Sequence, residues 1–431
     1  MPDLLALSAQ LLDNADSTQA PNRVTQELSE LGDDIALIES FSHVVIFRTD
    51  EGLVLFDTSL DATAPACVEA MRAWTDQPVH SIVYTHGHKD HVGGSGAFVA
   101  DTVARGARAP AIVSHENVAP RFDRYRLTDG YNATINMRQF GGSPIAGGLG
   151  TAPSGFLPAD VADPTLTYLD TMTMAVGDLT LDLRHAKGET DDHTWAWIPE
   201  HKAICVGDFV IWMFPNAGNP QKVQRYPLEW AAALRSMVAQ QPELLLPAHG
   251  LPVAGAERIA TMLNTMADVL ETLTRDVLEQ MNAGAALNDI VHEVKVDPEL
   301  LALPYLRPLY DEPEFVINNV WRLYGGWYDG NPARLKPAPD AALAAEVAAL
   351  AGGVANLTAR AVELAASDTE PDLRLACHLI ELAADAAPDD TTVRGARADI
   401  YTQRRRHETS LMAKGIYRWA SDQSAEHAGE A

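Results

Sequence analysis

The sequence predicts an α/β domain followed by an all-helical domain. Through residue 250, short apolar runs bounded by turn residues alternate with helical patterns, which is typical of interleaved strands and helices. Beyond residue 254, long segments rich in alanine, leucine and glutamate follow, separated by proline-rich loops at 303–313 and 332–339. We place the domain boundary between residues 265 and 266, so that an α/β domain spans 1–265 and a helical domain spans 266–431.

The α/β domain starts with a segment rich in hairpins. Apolar runs at 35–38, 43–48 and 53–56 predict strands, and the polar Asp-Glu-Gly turn at 50–52 separates the last two. A helical pattern at 66–74 and a short buried strand at 82–84 come next. We expect further strands at 172–176, 179–183, 194–198, 203–206 and 244–246, and helices at 256–281, 341–366, 372–386 and 389–420.

The composition indicates a folded chain with a strongly acidic surface. Its 431 residues are 47% hydrophobic, and 32 basic against 59 acidic residues leave a formal net charge of −27. A field of this sign repels phosphate backbones and anionic lipids, so we expect no nucleic-acid partner and no membrane partner. No stretch approaches the ~20 apolar residues of a membrane span, and residues 1–22 lack the pattern of a signal peptide. We therefore expect a cytoplasmic protein.

The densest chemical signal is the loop THGHKDHVGG at 85–94, which directly follows the predicted strand 82–84. His86 and His88 are two residues apart, so in an extended segment their rings project to the same side and can bind one metal ion. Asp90 and His91 then follow as ligands for a second ion. A solvated histidine cluster without metal is the alternative, but several ligand types at fixed spacing form a much narrower pattern.

Three further candidate ligands follow strands predicted later in the chain. They are Glu189 after the strand 179–183, Asp208 after 203–206, and His249 after 244–246. Taken singly, they would be read as a surface acid, a turn former and a helix cap. As an ordered set behind the histidine loop they predict metal ligands.

This arrangement resembles the metallo-β-lactamase superfamily across residues 35–250, which implies an αβ/βα sandwich fold. The resemblance implies two zinc ions per chain. Its ligand set would be His86, His88 and Glu189 for the first ion, Asp90, His91 and His249 for the second, and Asp208 as the bridge. Most relatives have histidine at the position of Glu189, whereas the alkylsulfatase branch resembles this chain in using glutamate.

Other residues near these ligands have candidate roles. His193 competes with Glu189 for the first ion and is otherwise a supporting residue or a proton donor, so we count it with Asp90 and Asp208 as catalytic. Relatives have an aspartate equivalent to Asp57 that supports the histidine loop, although an aspartate that only forms a turn is an equal alternative.

Two stretches favour the alkylsulfatases over the lactamases. Residues 115–141 look like that family's substrate insert, in which asparagine and arginine hold sulfate, although an ordinary loop with structural amides is the alternative. The string YGGWYDGNPA at 324–333 is very similar to a segment of the alkylsulfatase dimerisation domain, which implies a homodimer. The candidate substrate-binding residues are Asn132, Asn136 and Arg138, together with Arg225.

The chain also departs from the alkylsulfatase pattern. The arginine that grips sulfate after the bridging acid is not plainly present, and Arg225 or Lys222 is the candidate replacement. The bridging acid is Asp208, where close alkylsulfatases have glutamate. Members often carry a third, lipid-carrier-like domain, for which we expect no counterpart in this sequence.

The expected activity is that of a dinuclear-zinc hydrolase that cleaves ester substrates with a metal-activated hydroxide. Its best substrate would be a small anionic ester with an apolar tail, most simply an alkyl sulfate, and the apolar loop 209–214 would contact that tail unless it is core. The alternatives are a lactone, thioester, phosphodiester or β-lactam substrate on the same site. A metal-binding dimeric scaffold without catalysis is the alternative from another class.

Overall fold

The structure is a computed structural model that describes residues 3–141 and 155–429. The described chain forms two compact units. The first comprises residues 3–133 and 155–326, and the second comprises 134–141 and 327–429. The predicted domain boundary between residues 265 and 266 stays a prediction; the helix Ala256–Asn282 runs across it without a break.

A seven-stranded sheet in the first unit carries the strands in sequence order, β1 to β7. The first four strands pair antiparallel, and β4, β5, β6 and β7 pair parallel. The carboxyl ends of β4 and β5 therefore meet at one edge of the sheet. The strands are β1 (Glu27–Gly32), β2 (Ile35–Glu39), β3 (Val44–Thr49), β4 (Gly52–Phe56), β5 (Val79–Val83), β6 (Ala111–His115) and β7 (Leu166–Tyr168).

A six-stranded sheet in the same unit has the order β13-β12-β11-β10-β9-β8. Only β11 and β12 pair parallel, so their carboxyl ends also lie side by side. The strands are β8 (Thr171–Val176), β9 (Leu179–His185), β10 (Thr194–Ile198), β11 (Ala203–Gly207), β12 (Leu244–Pro247) and β13 (Val253–Ala254).

Alternation along the strands of the first sheet gives it two buried faces. Leu37, Val45 and Val54 belong to a core shared with the second sheet, whereas Ile38 and Ile46 belong to a core shared with helices. Successive strand residues point to opposite faces, so the same strands serve both cores. The helices that begin and end in the first unit are Leu4–Asp13, Ala64–Trp74, Lys89–Val92, Ser95–Ala104, Val118–Leu127, Pro227–Val238, Ala256–Asn282, Leu287–Glu293, Pro298–Leu301 and Pro313–Gly325.

The described residues of the second unit are helical apart from their connections. A core of alanine, leucine and isoleucine holds these helices together. The predicted helix 341–366 is interrupted at Gly352 and Gly353, whose positive φ angles (81° and 121°) suit glycine and end a helix. The helices in 327–429 are Pro332–Leu335, Asp340–Leu350, Val354–Ala365, Glu370–Ala386, Thr391–Arg406 and Leu411–Ala428, and the helix Asp129–Gln139 contributes its last residues.

No single helix in the described ranges is long and apolar enough to cross a bilayer. The helices Asp340–Leu350 and Val354–Ala365 meet that test of length and composition only as a pair, which is bent by 87°.

Candidate metal centre

Asp57 joins the ends of the two parallel strands β4 and β5. Its backbone N–H donates to the Val83 carbonyl (3.0 Å), and its carboxylate accepts from the Thr85 amide (2.8 Å) and the Thr85 hydroxyl (2.7 Å). The same carboxylate lies 2.7 Å from His91 Nδ1. Asp57 therefore orients an imidazole and the start of the loop 85–94, beyond forming a turn.

The first group of ligand-type side chains contains His86, His88, Glu189 and Asp208. One donor atom from each lies within 4.8 Å of the others. His86 Nε2 is 2.8 Å from His88 Nδ1 and 3.9 Å from Asp208 Oδ2, and His88 Nδ1 is 3.5 Å from Glu189 Oε1. Four donors from three distant parts of the chain thus converge on one point.

The second group contains Asp90, His91 and His249, whose donor atoms also lie within 4.8 Å of one another. Asp208 connects it to the first group. Asp208 Oδ1 is 3.4 Å from His91 Nε2 and 3.5 Å from His249 Nε2, whereas its Oδ2 faces His86. One carboxylate therefore presents one oxygen to each group, which is the placement that a bridging ligand requires.

The charges of this donor set fit bound cations. Burial and the charge of Asp208 raise the pKa of Glu189 well above its ordinary value. Burial, with the neighbouring His91 and His88, lowers the pKa of His86 well below its ordinary value, which leaves the neutral imidazole that binds metal. Three carboxylates and four imidazoles, all buried or half-buried, suit zinc, which accepts oxygen and nitrogen ligands.

Glu189 is held by residues from the loop after β11. Its Oε1 accepts from Asn216 Nδ2 (2.5 Å) and lies 3.3 Å from Arg225 Nη2, while Arg225 Nη1 donates to the Glu189 carbonyl (2.6 Å). Arg225 is 1% exposed. The structure therefore places this arginine on a candidate metal ligand, and its predicted role in binding substrate stays a prediction.

Lys222, the other candidate cation, is half-buried in the same loop. Burial and the charge of Arg225 lower the pKa of Lys222 to about 7, against the opposing charges of Asp90 and Glu189. The Lys222 amine thus lies within electrostatic reach of both groups of ligands.

His193 stands beside the first group and outside it. Its Nε2 accepts from the Asp208 backbone N–H (3.1 Å), and its ring stacks on His86 with centroids 4.6 Å apart. Burial lowers the pKa of His193 to about 3, which keeps the ring neutral. Glu189 is therefore a member of the first group, whereas His193, which the sequence offered as the alternative ligand, is not.

The remaining predicted substrate residues lie on the helix Asp129–Gln139. Asn132 Nδ2 donates to the carbonyl (3.0 Å) and hydroxyl (2.8 Å) of Thr128, one turn earlier. Asn136 is buried and Arg138 is half-buried, and both belong to the second unit. Their roles in binding substrate stay predictions.

The apolar loop 209–214 is core packing. Phe209, Trp212 and Phe214 are at most 1% exposed, and Phe209 packs edge-on against His193 and Trp230. The Trp212 indole donates to the Leu251 carbonyl (2.8 Å). This loop therefore packs against His193 and behind the segment that carries the candidate ligand His249, and its burial favours the core interpretation over contact with a substrate tail.

Some residues that hold the candidate ligands are far from them along the chain and were not predicted from the sequence. His43 Nε2 lies 2.7 Å from the Gly250 carbonyl, next to His249, and Asn216 holds Glu189. His43 is 207 residues from Gly250. The only signal in the sequence was that each is a polar residue within or beside an apolar run.

Asp57→Asn is expected to weaken binding of the metal ion held by His91 by about 10–100-fold, because removing a ligand's supporting partner typically costs that much. Asparagine keeps the shape but loses the charge that faces His91 Nδ1. The measurement is zinc titration of chelator-stripped protein. Unchanged affinity for both ions would show that Asp57 only shapes the turn.

Family comparisons agree with this geometry. Residues 37–249 match the metallo-beta-lactamase superfamily, and residues 286–427 match the alkyl sulfatase dimerisation family. The fold is thus that of a metallo-β-lactamase-fold protein. The chain combines a metallo-β-lactamase superfamily domain with an alkyl sulfatase dimerisation domain, and both the predicted resemblance and the predicted fold class are confirmed.

The chain is similar to several alkylsulfatases. It is 27% identical over 322 residues to a linear primary-alkylsulfatase of Pseudomonas sp., with 72% of this chain and 60% of the relative covered. It is 23% identical over 337 residues to an alkyl/aryl-sulfatase of Saccharomyces cerevisiae, with 74% and 52% covered. The chain therefore spans little more than half the length of these curated relatives.

A solved structure shares the fold. The stereoselective inverting sec-alkylsulfatase Pisa1 from Pseudomonas sp. superimposes with a TM-score of 0.80 at 23% identity, covering 94% of this chain and 66% of that chain.

Proposed function

We propose that the protein hydrolyses sulfate esters of apolar alcohols at a centre of two zinc ions. The observation that carries the proposal is the pair of ligand groups that share Asp208, in a chain that also contains an alkyl sulfatase dimerisation domain. The alkylsulfatase names of its relatives support the substrate class.

The ligand assignments follow from the two groups. His86, His88 and Glu189 would hold the first ion, Asp90, His91 and His249 the second, and Asp208 would bind both. When bound, two divalent cations lower the pKa of a water molecule towards neutrality and neutralise oxyanion charge.

The other residues of the site orient these ligands. His193 accepts the backbone N–H of Asp208, and so fixes the peptide that carries the bridge. Asn216 and Arg225 hold Glu189, while Asp57 holds His91. In its protonated form, Lys222 would place a positive charge near Asp90 and Glu189, which favours an anionic substrate.

A substrate panel tests the proposal. Purified protein loaded with zinc would be incubated with alkyl sulfates of medium chain length, with lactones, thioesters, phosphodiesters and a β-lactam, and the products identified. We expect inorganic sulfate and the alcohol from the alkyl sulfates. Hydrolysis of another substrate class without release of sulfate from the alkyl sulfates would show that the substrate is not a sulfate ester. No hydrolysis of any substrate by a protein with two bound ions would favour a metal-binding dimeric scaffold without catalysis.

We also propose that the protein is a homodimer, supported by the dimerisation-family match. In the second unit, the side chains of Trp327 and Tyr328 are 70% and 38% exposed in the single chain. Large aromatic side chains are enriched at protein interfaces, so these two are candidates for burial against a second copy of the chain.

Replacing both Trp327 and Tyr328 with serine is expected to raise the dimer dissociation constant by about 10³-fold, because each interface aromatic of this kind contributes about 2 kcal/mol. Light scattering over a dilution series measures this. Val103→Ser on another exposed surface is the control. A double variant that dimerises like the unsubstituted protein would place the interface elsewhere.

A further inference from the structure

A buried ion pair lies behind the histidine loop. Arg121 is 3% exposed on the helix Val118–Leu127, and its Nε donates to Asp192 Oδ2 at 2.6 Å. Its Nη2 pairs with the neighbouring Asp191. Asp192 is fully buried. Two opposite charges are thus placed in the interior. The cost of removing them from water offsets much of their attraction, so stability alone does not explain why the chain has this pair.

The Asp192 carboxylate also reaches the backbone between two candidate metal ligands. The same Oδ2 accepts the backbone N–H of Gly87 at 3.1 Å, and Gly87 lies between His86 and His88. Asp192 itself follows Glu189 by three residues. One carboxylate oxygen therefore connects the two chain segments that deliver three of the four members of the first ligand group.

The packing at Gly87 is too close for a side chain. A Cβ atom at this position would lie 2.8 Å from Arg121 Cδ and 3.0 Å from Asp192 Oδ2. The ion pair is therefore in direct contact with the backbone of the loop, and glycine is needed for this approach.

The second ligand group has a different support. Asp57 contacts His91 directly, whereas, among the hydrogen bonds of the described residues, those of Arg121 and Asp192 involve none of Asp90, His91 and His249. Arg121 and Asp192 thus support the first group alone, whereas Asp57 supports His91 and also reaches His86 through the Thr85 hydroxyl, which lies 3.1 Å from His86 Nδ1.

We propose that Arg121 and Asp192 are positioning residues that tie the loop between His86 and His88 to the turn after Glu189 and thereby set the affinity of the first cation site. This inference rests on one part of the proposed function, namely that each of the two ligand groups binds a cation. It adds that Asp192 with Arg121 acts on the first site alone, whereas Asp57 acts mainly on the second site and reaches the first through Thr85.

The test is a zinc titration of the full chain in competition with a chromophoric chelator, after removal of bound metal. Asp192→Asn and Arg121→Lys are compared with the unsubstituted protein and with Arg126→Gln, which removes an exposed ion pair from the same helix. We expect each of the first two to weaken one ion by about 10–100-fold and the other by no more than about 2-fold. Combining Asp192→Asn with Asp57→Asn should weaken both ions.

Folding is checked by circular dichroism, and Arg121→Lys retains both charges should Asp192→Asn fail to fold. Unchanged affinities in folded variants, or an equal loss of both ions, would overturn the inference while leaving the proposed function intact. If the unsubstituted protein binds no zinc, both the proposed function and the inference fail.

Discussion

Replacing Asp208 with alanine is expected to abolish binding of the metal pair and to lower kcat for sulfate-ester hydrolysis by about 10³-fold or more. The reason is the position of its two oxygens, of which Oδ1 faces His91 and His249 and Oδ2 faces His86. Without them, each cation would lose an anionic ligand, and no carboxylate would lie between the two cations to offset their mutual repulsion. Zinc analysis of the dialysed protein and sulfate release under saturating substrate measure the two effects.

Asp178→Ala is the matched control for this variant, because Asp178 is an exposed aspartate of the same unit. It should retain both ions and full turnover. An Asp208→Ala protein that kept full turnover with no metal bound would refute the mechanism.

Arg225→Ala is expected to destabilise the folded protein by about 3–5 kcal/mol and to weaken binding of the first ion, because it leaves the buried Glu189 without its cation. Both Nη atoms of Arg225 contact Glu189, one through the backbone carbonyl and one through the carboxylate. Chemical denaturation and zinc titration measure the two effects. Arg225→Lys keeps the charge but not the paired contacts, and should recover part of the loss.

This variant separates two roles for Arg225. If the arginine acts through Glu189, the loss appears in metal affinity. Retention of two tightly bound ions with a raised KM for alkyl sulfate would instead assign Arg225 to the substrate.

The seven ligand-type side chains could be identified from the sequence because each follows an apolar run at a strand end. The loop 85–94 follows β5, Asp208 follows β11 and His249 follows β12. The strand ends identified the candidates, and the resemblance to the metallo-β-lactamase superfamily grouped them into one ligand set. Strand pairing alone would not predict that they converge, because β5 lies in one sheet and β11 and β12 lie in the other.

The supports of the ligands could not be predicted in the same way. Asn216 on Glu189, His43 beside Gly250, and Asp192 on Gly87 are contacts between segments that no periodicity relates. Arg225 is an example. Its positive charge suggested a contact with an anionic substrate, whereas its contact with the Glu189 carboxylate could not be foreseen from the sequence.

The same limit applies to the fold. The strands at Ile35–Glu39, Val44–Thr49 and Gly52–Phe56 are apolar runs and were predicted within one or two residues. The strand Glu27–Gly32 carries two exposed glutamates, Glu27 and Glu30, and lacks an apolar run. Its pairing with the next strand, rather than its own composition, makes it a strand.

Seven side chains between His86 and His249 are proposed to bind two cations that hydrolysis requires. Zinc content and release of sulfate from dodecyl sulfate, measured on one preparation before chelation, after chelation and after zinc is restored, test it most directly. We predict two zinc ions per chain, loss of sulfate release on chelation and recovery with zinc. Sulfate release at an undiminished rate from metal-free protein would contradict the claim.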